Sequence, residues 1–413
     1  MTAPVVATGL GVVAPNGLGA EAFWENVLAG KTGIDRISRF DPAGYDVTLA
    51  GEIKDFDASD YIPGALIART DRMTHFALAA TEMALADACA RPADFPEYEM
   101  AVVTANSAGG TEFGQRELEK LQMHGPQHVG AYMSIAWFYA ANTGQISIKQ
   151  KMRGPCVMIS AEQAGGLDTI GHARRIIRGG ALLAVSGGTD APFSPAGLIA
   201  QMTTRRLSTG TDPLTAYRPF STHPGGYVPG EGGAMIILED AANARERGAR
   251  QAYGVIAGYA ATFDPPPGSP RPPGLRRAIE LALQDAGIAA ADVDAVLADG
   301  HAVPELDRRE AEAIAAVFGP LGVPVSVPKT LNGRMYSGGS SLDAVTALLM
   351  LRDQVIPPTV GSSDVSAECP VDLVGDQARA ARIRHVVVLS RGYGGLSRDY
   401  SCFNTAVVIS AVS

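Results

Sequence analysis

Residues 154–173, GPCVMISAEQAGGLDTIGHA, are where this chain could present a reactive group. An apolar run enters a tight turn of small residues at 161–166 and leaves it with helical periodicity. A side chain at such a strand-to-helix junction projects into a cleft. The positive end of the helix behind it would lower a thiol's pKa and favour the thiolate. The turn holds no thiol: Glu162 and Gln163 stand there, and an amide cannot form a thioester. Cys89, Cys156, Cys369 and Cys402 lie elsewhere, widely spaced and without a C-x-x-C pair, so neither a disulfide framework nor a zinc site is expected. Cys156 falls in an apolar run, where a cysteine reads as a small inert core residue. Cys89 and Cys402, near element ends, lack basic neighbours, and His301 reads as a turn histidine with a local hydrogen bond.

The elements that must position this turn alternate along the chain. Short runs rich in Val, Ala and Ile predict strands at 5–13, 100–104, 156–160, 182–186 and 234–239, with helices at 20–29, 73–90, 134–151, 165–178 and 195–201. A similar order restarts near Tyr253, with strands at 254–261, 295–298, 323–327, 385–389 and 406–410 and helices at 275–286, 308–318 and 341–353. The strands are nearly continuous in apolar residues, as in sheets covered on both faces. Two α/β halves in tandem, 1–252 and 253–413, with no polar linker between them, suggest one duplicated fold. The proline-rich stretch 264–273 reads as a stiff surface loop inside the second half.

Composition narrows the function. The 413 residues are 46% apolar and 19% charged, enough for a large core, and the formal charge of −9 argues against a nucleic-acid partner. No apolar run is long enough to span a bilayer and the N-terminus lacks a signal pattern, so a soluble cytoplasmic protein is expected. The arginines of 172–180 and 203–208 could meet an acidic partner, but a solvated helix end is the simpler reading.

The turn resembles the active-site turn T-A-C-S-x-G-L-D of the ketosynthases of the thiolase superfamily. Residues 161–168, AEQAGGLD, fall in register with it and put Gln163 at the cysteine position. The family's first histidine motif is similar to A-H-G-T-G-T-P-x-x-D; residues 298–307 read ADGHAVPELD, with Asp299 in place of the histidine and Gly300, Pro304 and Asp307 kept. The second resembles K-S-x-x-G-H; residues 329–334 read KTLNGR, keeping Lys329 and Gly333 and placing Arg334 where the histidine belongs. Those histidines donate to a developing oxyanion. An anionic Asp299 would oppose that charge, and Arg334 cannot shuttle protons.

With 228–240, 327–343 and the turn itself, the resemblance covers essentially the whole chain and is specific to the ketosynthase-beta subunits, or chain length factors, of type II aromatic polyketide synthases. It implies a thiolase-like fold, two duplicated halves in a five-layer αβαβα sandwich. It also implies a protomer inactive as a condensing enzyme by itself, paired with a ketosynthase-alpha subunit. This chain would bind no cofactor; the phosphopantetheine arm of an acyl carrier protein would enter the partner. The subgroup's gate positions map to Thr111, Gly114, Leu118 and Ile135, where members making shorter chains carry aromatics. A hydroxyl, no side chain and two aliphatics imply a deeper pocket and a decaketide or longer product. Two alternatives are malonyl-carrier-protein decarboxylation promoted by Gln163 and a purely structural scaffold for the partner. Residues 397–402 read as an insertion after the glycine-rich turn at 392–395.

Overall fold

The computed structural model describes residues 4–266, 268–393 and 402–412. The glycine-rich turn beyond Tyr393 and all of the insertion except Cys402 lie outside the described residues. Strand order repeats on either side of a central seam. From one edge it runs Cys156–Ile159, Met100–Ala105, Leu183–Asp190, Gly232–Asp240, Val5–Ala14; from the other, inside the short edge strand Asp372–Leu373, it runs Pro324–Ser326, Ala295–Leu297, His385–Tyr393, Cys402–Ser410, Gly254–Phe263. In each set three strands are parallel and the last two antiparallel. The sets meet where Val6 pairs with Val255 and Ala7 with Gly254.

Alternating side chains explain the layering. On Gly232–Asp240, Ala234, Ile236 and Leu238 face one core while Met235 and Ile237 face another. Arg72–Asp87 covers the outer face of the first set, and Leu275–Ala286 with Pro304–Phe318 covers that of the second. Gly165–Arg178 and Ser337–Asp353 lie between and touch strands of both sets. The order is helix, sheet, helix, sheet, helix. Ser337–Asp353 is buried from Ser337 through Leu351, as a helix enclosed on every side must be. No helix among the described residues is long and apolar enough to cross a membrane.

Four expectations need correction. The helix expected at 134–151 is split into Met133–Ala136 and Ala141–Gln150. Gly110 N donates to Trp137 O, and a Cβ at Gly110 would lie 2.2 Å from Ala136 O, so this backbone is occupied by a neighbour where a helix would continue. Thr111–His124 is a helix that was not anticipated. Cys156 is exposed rather than core, because its strand is an edge strand and it is the first residue. Arg174 is neither a docking residue nor solvated: it is buried, paired with Asp285 and donating to Ala257 O.

Candidate functional site

The turn, the two former histidine positions and the start of the central helix converge. Glu162 takes a left-handed φ of +51°, and Gly165–Arg178 begins just beyond it. The carbonyls of the turn are tied to the central helix: Ser337 Oγ donates to Glu162 O at 2.8 Å and Ser340 Oγ to Gln163 O at 2.5 Å. Gln163 is fully buried, and neither amide atom has a hydrogen-bond partner. Its Nε2 lies so close to the backbone of Gly339 that a Cβ there would sit 2.5 Å away.

Asp299 and Arg334, the residues in the two histidine positions, are brought together. Arg334 Nη1 donates to Asp299 Oδ1 at 2.9 Å, with both side chains buried. Arg334 Nη2 donates to Arg391 O at 2.7 Å and stands 3.4 Å from Glu162 Oε2. Burial is the largest influence on the Asp299 carboxyl and would raise it, but the Arg334 guanidinium together with Lys329 and the neighbouring His301 outweighs it and holds the group well below the usual carboxylate range. Burial likewise acts to lower Arg334, and Asp299 with Glu162 raises it far above its ordinary value. The acid opposing an oxyanion and the cation unable to shuttle protons thus neutralise each other. Lys329 Nζ pairs with Asp343 at 2.8 Å and donates to Ala298 O at 2.8 Å. Glu310 accepts from Asp299 N and Gly300 N at 2.7 and 2.9 Å, fixing the loop.

His301 differs from the sequence reading. Its backbone N donates to Asp307, but neither ring nitrogen has a hydrogen-bond partner; Nδ1 stands 3.8 Å from Asp299 Oδ2, beyond hydrogen-bond distance. The ring is held by aromatic contact, with centroids 4.9 Å from both Tyr227 and Tyr393. A cavity of about 310 Å³ remains beside it, lined by Ser107, Ala161, Glu162, Arg206, Tyr227, Tyr336 and Tyr393 among others, but not by Gln163. Among the described residues no group of three or more His, Cys, Asp or Glu could hold a metal.

Glu162, Tyr227 and Tyr393 were missed from the sequence. Glu162 had a signal: it replaces the alanine of the family turn, adding an acid to a site where Arg334 adds a base. The gate positions lie apart from this cluster. Thr111, Gly114 and Leu118 fall at i, i+3 and i+7 of Thr111–His124, a spacing that shares one helix face. Ile135 is on Met133–Ala136, which packs against that helix. Gly114 is buried, whereas Leu118 and Ile135 are 51% and 45% exposed.

Removing one partner of a buried ion pair leaves the other uncompensated, which typically costs about 3–5 kcal/mol. Arg334→Leu should lower unfolding stability by about that amount, and adding Asp299→Asn should recover most of it, as urea denaturation will show. The second expectation concerns His301, whose pKa is pushed from 6.5 down to about 3 by burial and by Arg334. As pH falls below about 6.5 the unfolded chain takes up a proton that the folded chain refuses, so stability falls. His301→Phe keeps the aromatic contacts and removes this term. Between pH 6.5 and 5 the variant should lose about 2 kcal/mol less stability than wild type; equal losses would contradict the assignment.

Residues 2–244 match the family described as beta-ketoacyl synthase, N-terminal domain, and residues 253–363 its C-terminal domain. The chain is 54% identical over 408 residues to the tetracenomycin polyketide synthase ketoacyl synthase beta subunit of Streptomyces glaucescens, covering 98% of each. Its fold is similar to the ishigamide ketosynthase/chain length factor, with a TM-score of 0.91 at 26% identity and both chains fully covered. A second similar structure, with a TM-score of 0.86 at 27% identity and full coverage of both, is the AntDE:AntF complex, a type II polyketide synthase acyl carrier protein with its ketosynthase bound to the hexaketide. With its thiolase-like layers, the chain belongs to the beta-ketoacyl synthase family as a ketosynthase beta subunit, or chain length factor.

Proposed function

We propose that this chain pairs with a ketosynthase-alpha subunit and sets how far that subunit's poly-β-ketone can grow, with no condensing activity of its own. The observation that carries this reading is the contrast between two surfaces. The centre that resembles a ketosynthase active site holds the buried Asp299–Arg334 pair and carries no thiol on its turn. The gate region is open: Leu118, Leu121, Ile135, Trp137 and Phe138 are large apolar side chains at least 39% exposed. Apolar surface of this kind marks an interaction site. The Cys156–Ile159 strand also ends the sheet path, and an unpaired strand edge invites another chain. Leu118 and Ile135 can wall an enclosed tunnel only once a partner covers them. The ishigamide and AntDE:AntF structures support a ketosynthase partner and a visiting acyl carrier protein. In this reading the carrier's phosphopantetheine arm enters the partner. The repeated strand order supports 1–252 and 253–413 as the duplicated halves.

The gate residues are small or aliphatic, and the reading is of a long product, decaketide or beyond. A Cβ added at Gly114 would meet Met133 and Trp137 at 3.8 Å, ordinary contact distance, so a side chain can begin there without breaking the fold. The priming alternative gains nothing from the geometry, since the Gln163 amide is buried against the central helix and does not line the cavity. The test is Gly114→Phe in the complex with ketosynthase-alpha and carrier protein. Mass spectrometry should find a shorter polyketide at undiminished complex yield. An unchanged product from an intact complex would favour the scaffold reading instead.

A further inference from the structure

The helix Thr111–His124 carries three of the four gate positions, yet packing holds little of it. Among its side chains only Phe113, Gly114 and Glu117 are buried. Along the face away from Leu118 runs an open cleft of about 600 Å³ whose walls include Arg39, Arg72, His75, Phe113, Arg116 and Tyr132. On that side close apolar contact is sparse, so polar anchors contribute to locating the helix.

Asp71 is such an anchor. Its side chain is fully buried, with Oδ1 accepting from Met73 N at 3.0 Å and Oδ2 from Phe113 N at 2.9 Å. The first bond caps Arg72–Asp87; the second reaches the first turn of Thr111–His124, whose own N-cap, Gly110, has no side chain to offer. One carboxylate thus serves two helix N-termini, where negative charge is favoured. Besides Asp71, Gly110 N donates to Trp137 O just before the helix and Thr111 Oγ1 to Ala191 O, while the Arg39–Glu112 pair, Gly130 N donating to Glu117 and Ala196 N donating to Gln115 act through the ends of longer side chains. Among these side chains, Asp71 holds a backbone N–H inside the first turn of the helix.

We propose that Asp71 is a positioning residue for chain-length control, holding the gate helix off the cleft and so fixing the gap that Leu118 and Ile135 leave for the product. This rests on the gate reading above. With the anchor cut, the helix can settle toward the cleft and the gate widens.

Asp71→Ser keeps a hydroxyl able to cap Arg72–Asp87 but too short to reach Phe113, and Asp71→Asn keeps the size and one acceptor oxygen. Each is assayed in the complex with ketosynthase-alpha and carrier protein, following malonyl consumption, product length and amide hydrogen exchange. In Asp71→Ser the share of longer chains should rise about tenfold, the effect of losing one charged hydrogen bond. Turnover should stay within about twofold, because no reacting group is touched. Amides of residues 113–118 should exchange faster while those of Arg72–Asp87 keep their protection. A wild-type product profile from the assembled Asp71→Ser complex would overturn the proposal, as would a changed profile accompanied by lost protection throughout Arg72–Asp87. If Asp71→Ser does not assemble, Asp71→Asn decides by the same criteria; failure of both to assemble would assign Asp71 to folding alone and also overturn it. Gly114→Phe, run alongside, separates the two levels. If it shortens the product while Asp71→Ser changes nothing, only this inference fails; if neither changes the product, the gate reading fails with it.

Discussion

The buried pair between Asp299 and Arg334 is the constraint around which the former active site is organised. Two charges without water are stable only when each answers the other and the remaining donors find acceptors. Arg334 meets this by reaching Asp299, Arg391 O and the neighbourhood of Glu162, so it touches the first histidine loop, a strand of the second half and the nucleophile turn. Asp299 is held from the other side by Glu310 through its backbone, and Lys329 donates to the carbonyls of Ala298 and Asp299. The groups that would have moved protons are replaced by groups that hold pieces of chain together. A site locked in this way has no role for a titrating residue, and His301, its ring unbonded between two tyrosines, stays neutral through the physiological range.

The same frame reaches the gate through buried carboxylates. Asp190 accepts from Asn106, Ser107 N and Ala108 N on the loop leading to the gate helix and from Ser337 N on the central helix. Ser337 in turn donates to Glu162 O in the turn. The Glu162–Gln163 turn, the central helix and the loop leading to Thr111–His124 are therefore joined by one continuous hydrogen-bonded network. Retention of the small residues and turns around a lost nucleophile follows from this: they still position a surface, although they no longer position a reaction.

Much of the fold was legible because its signals are local. Gly165–Arg178 and Leu275–Ala286 have apolar positions at helical spacing and the expected bounds, and the buried strands read as continuous apolar runs. Pro304–Phe318 began earlier than expected because Pro304, at the first helical position, suits an N-terminus. Thr111–His124 escaped notice because it is polar on average and its few apolar residues, Phe113, Leu118, Leu121 and Met123, are set among charged ones. Motif spacing aligned Gln163, Asp299 and Arg334 with the cysteine and histidine positions of the resembled family, but the pairing of Asp299 with Arg334 was not visible there. Asp299 and Arg334 lie 35 positions apart in sequence, and only the fold sets them 2.9 Å apart. Cys156 misled for a related reason: periodicity shows that a strand is apolar, not that it stands at an edge.

The central claim is that the catalytic centre was replaced as a unit, so that no single side chain can restore it. Gln163→Cys, assembled with its ketosynthase-alpha partner and incubated with acyl-carrier protein, tests this by intact-protein mass spectrometry. The thiol would be buried against Gly339, beside an ion pair in place of the two histidines. The account predicts acyl adducts on the partner subunit and none on the introduced thiol. A stable acyl adduct on this chain at wild-type-like rates would contradict it.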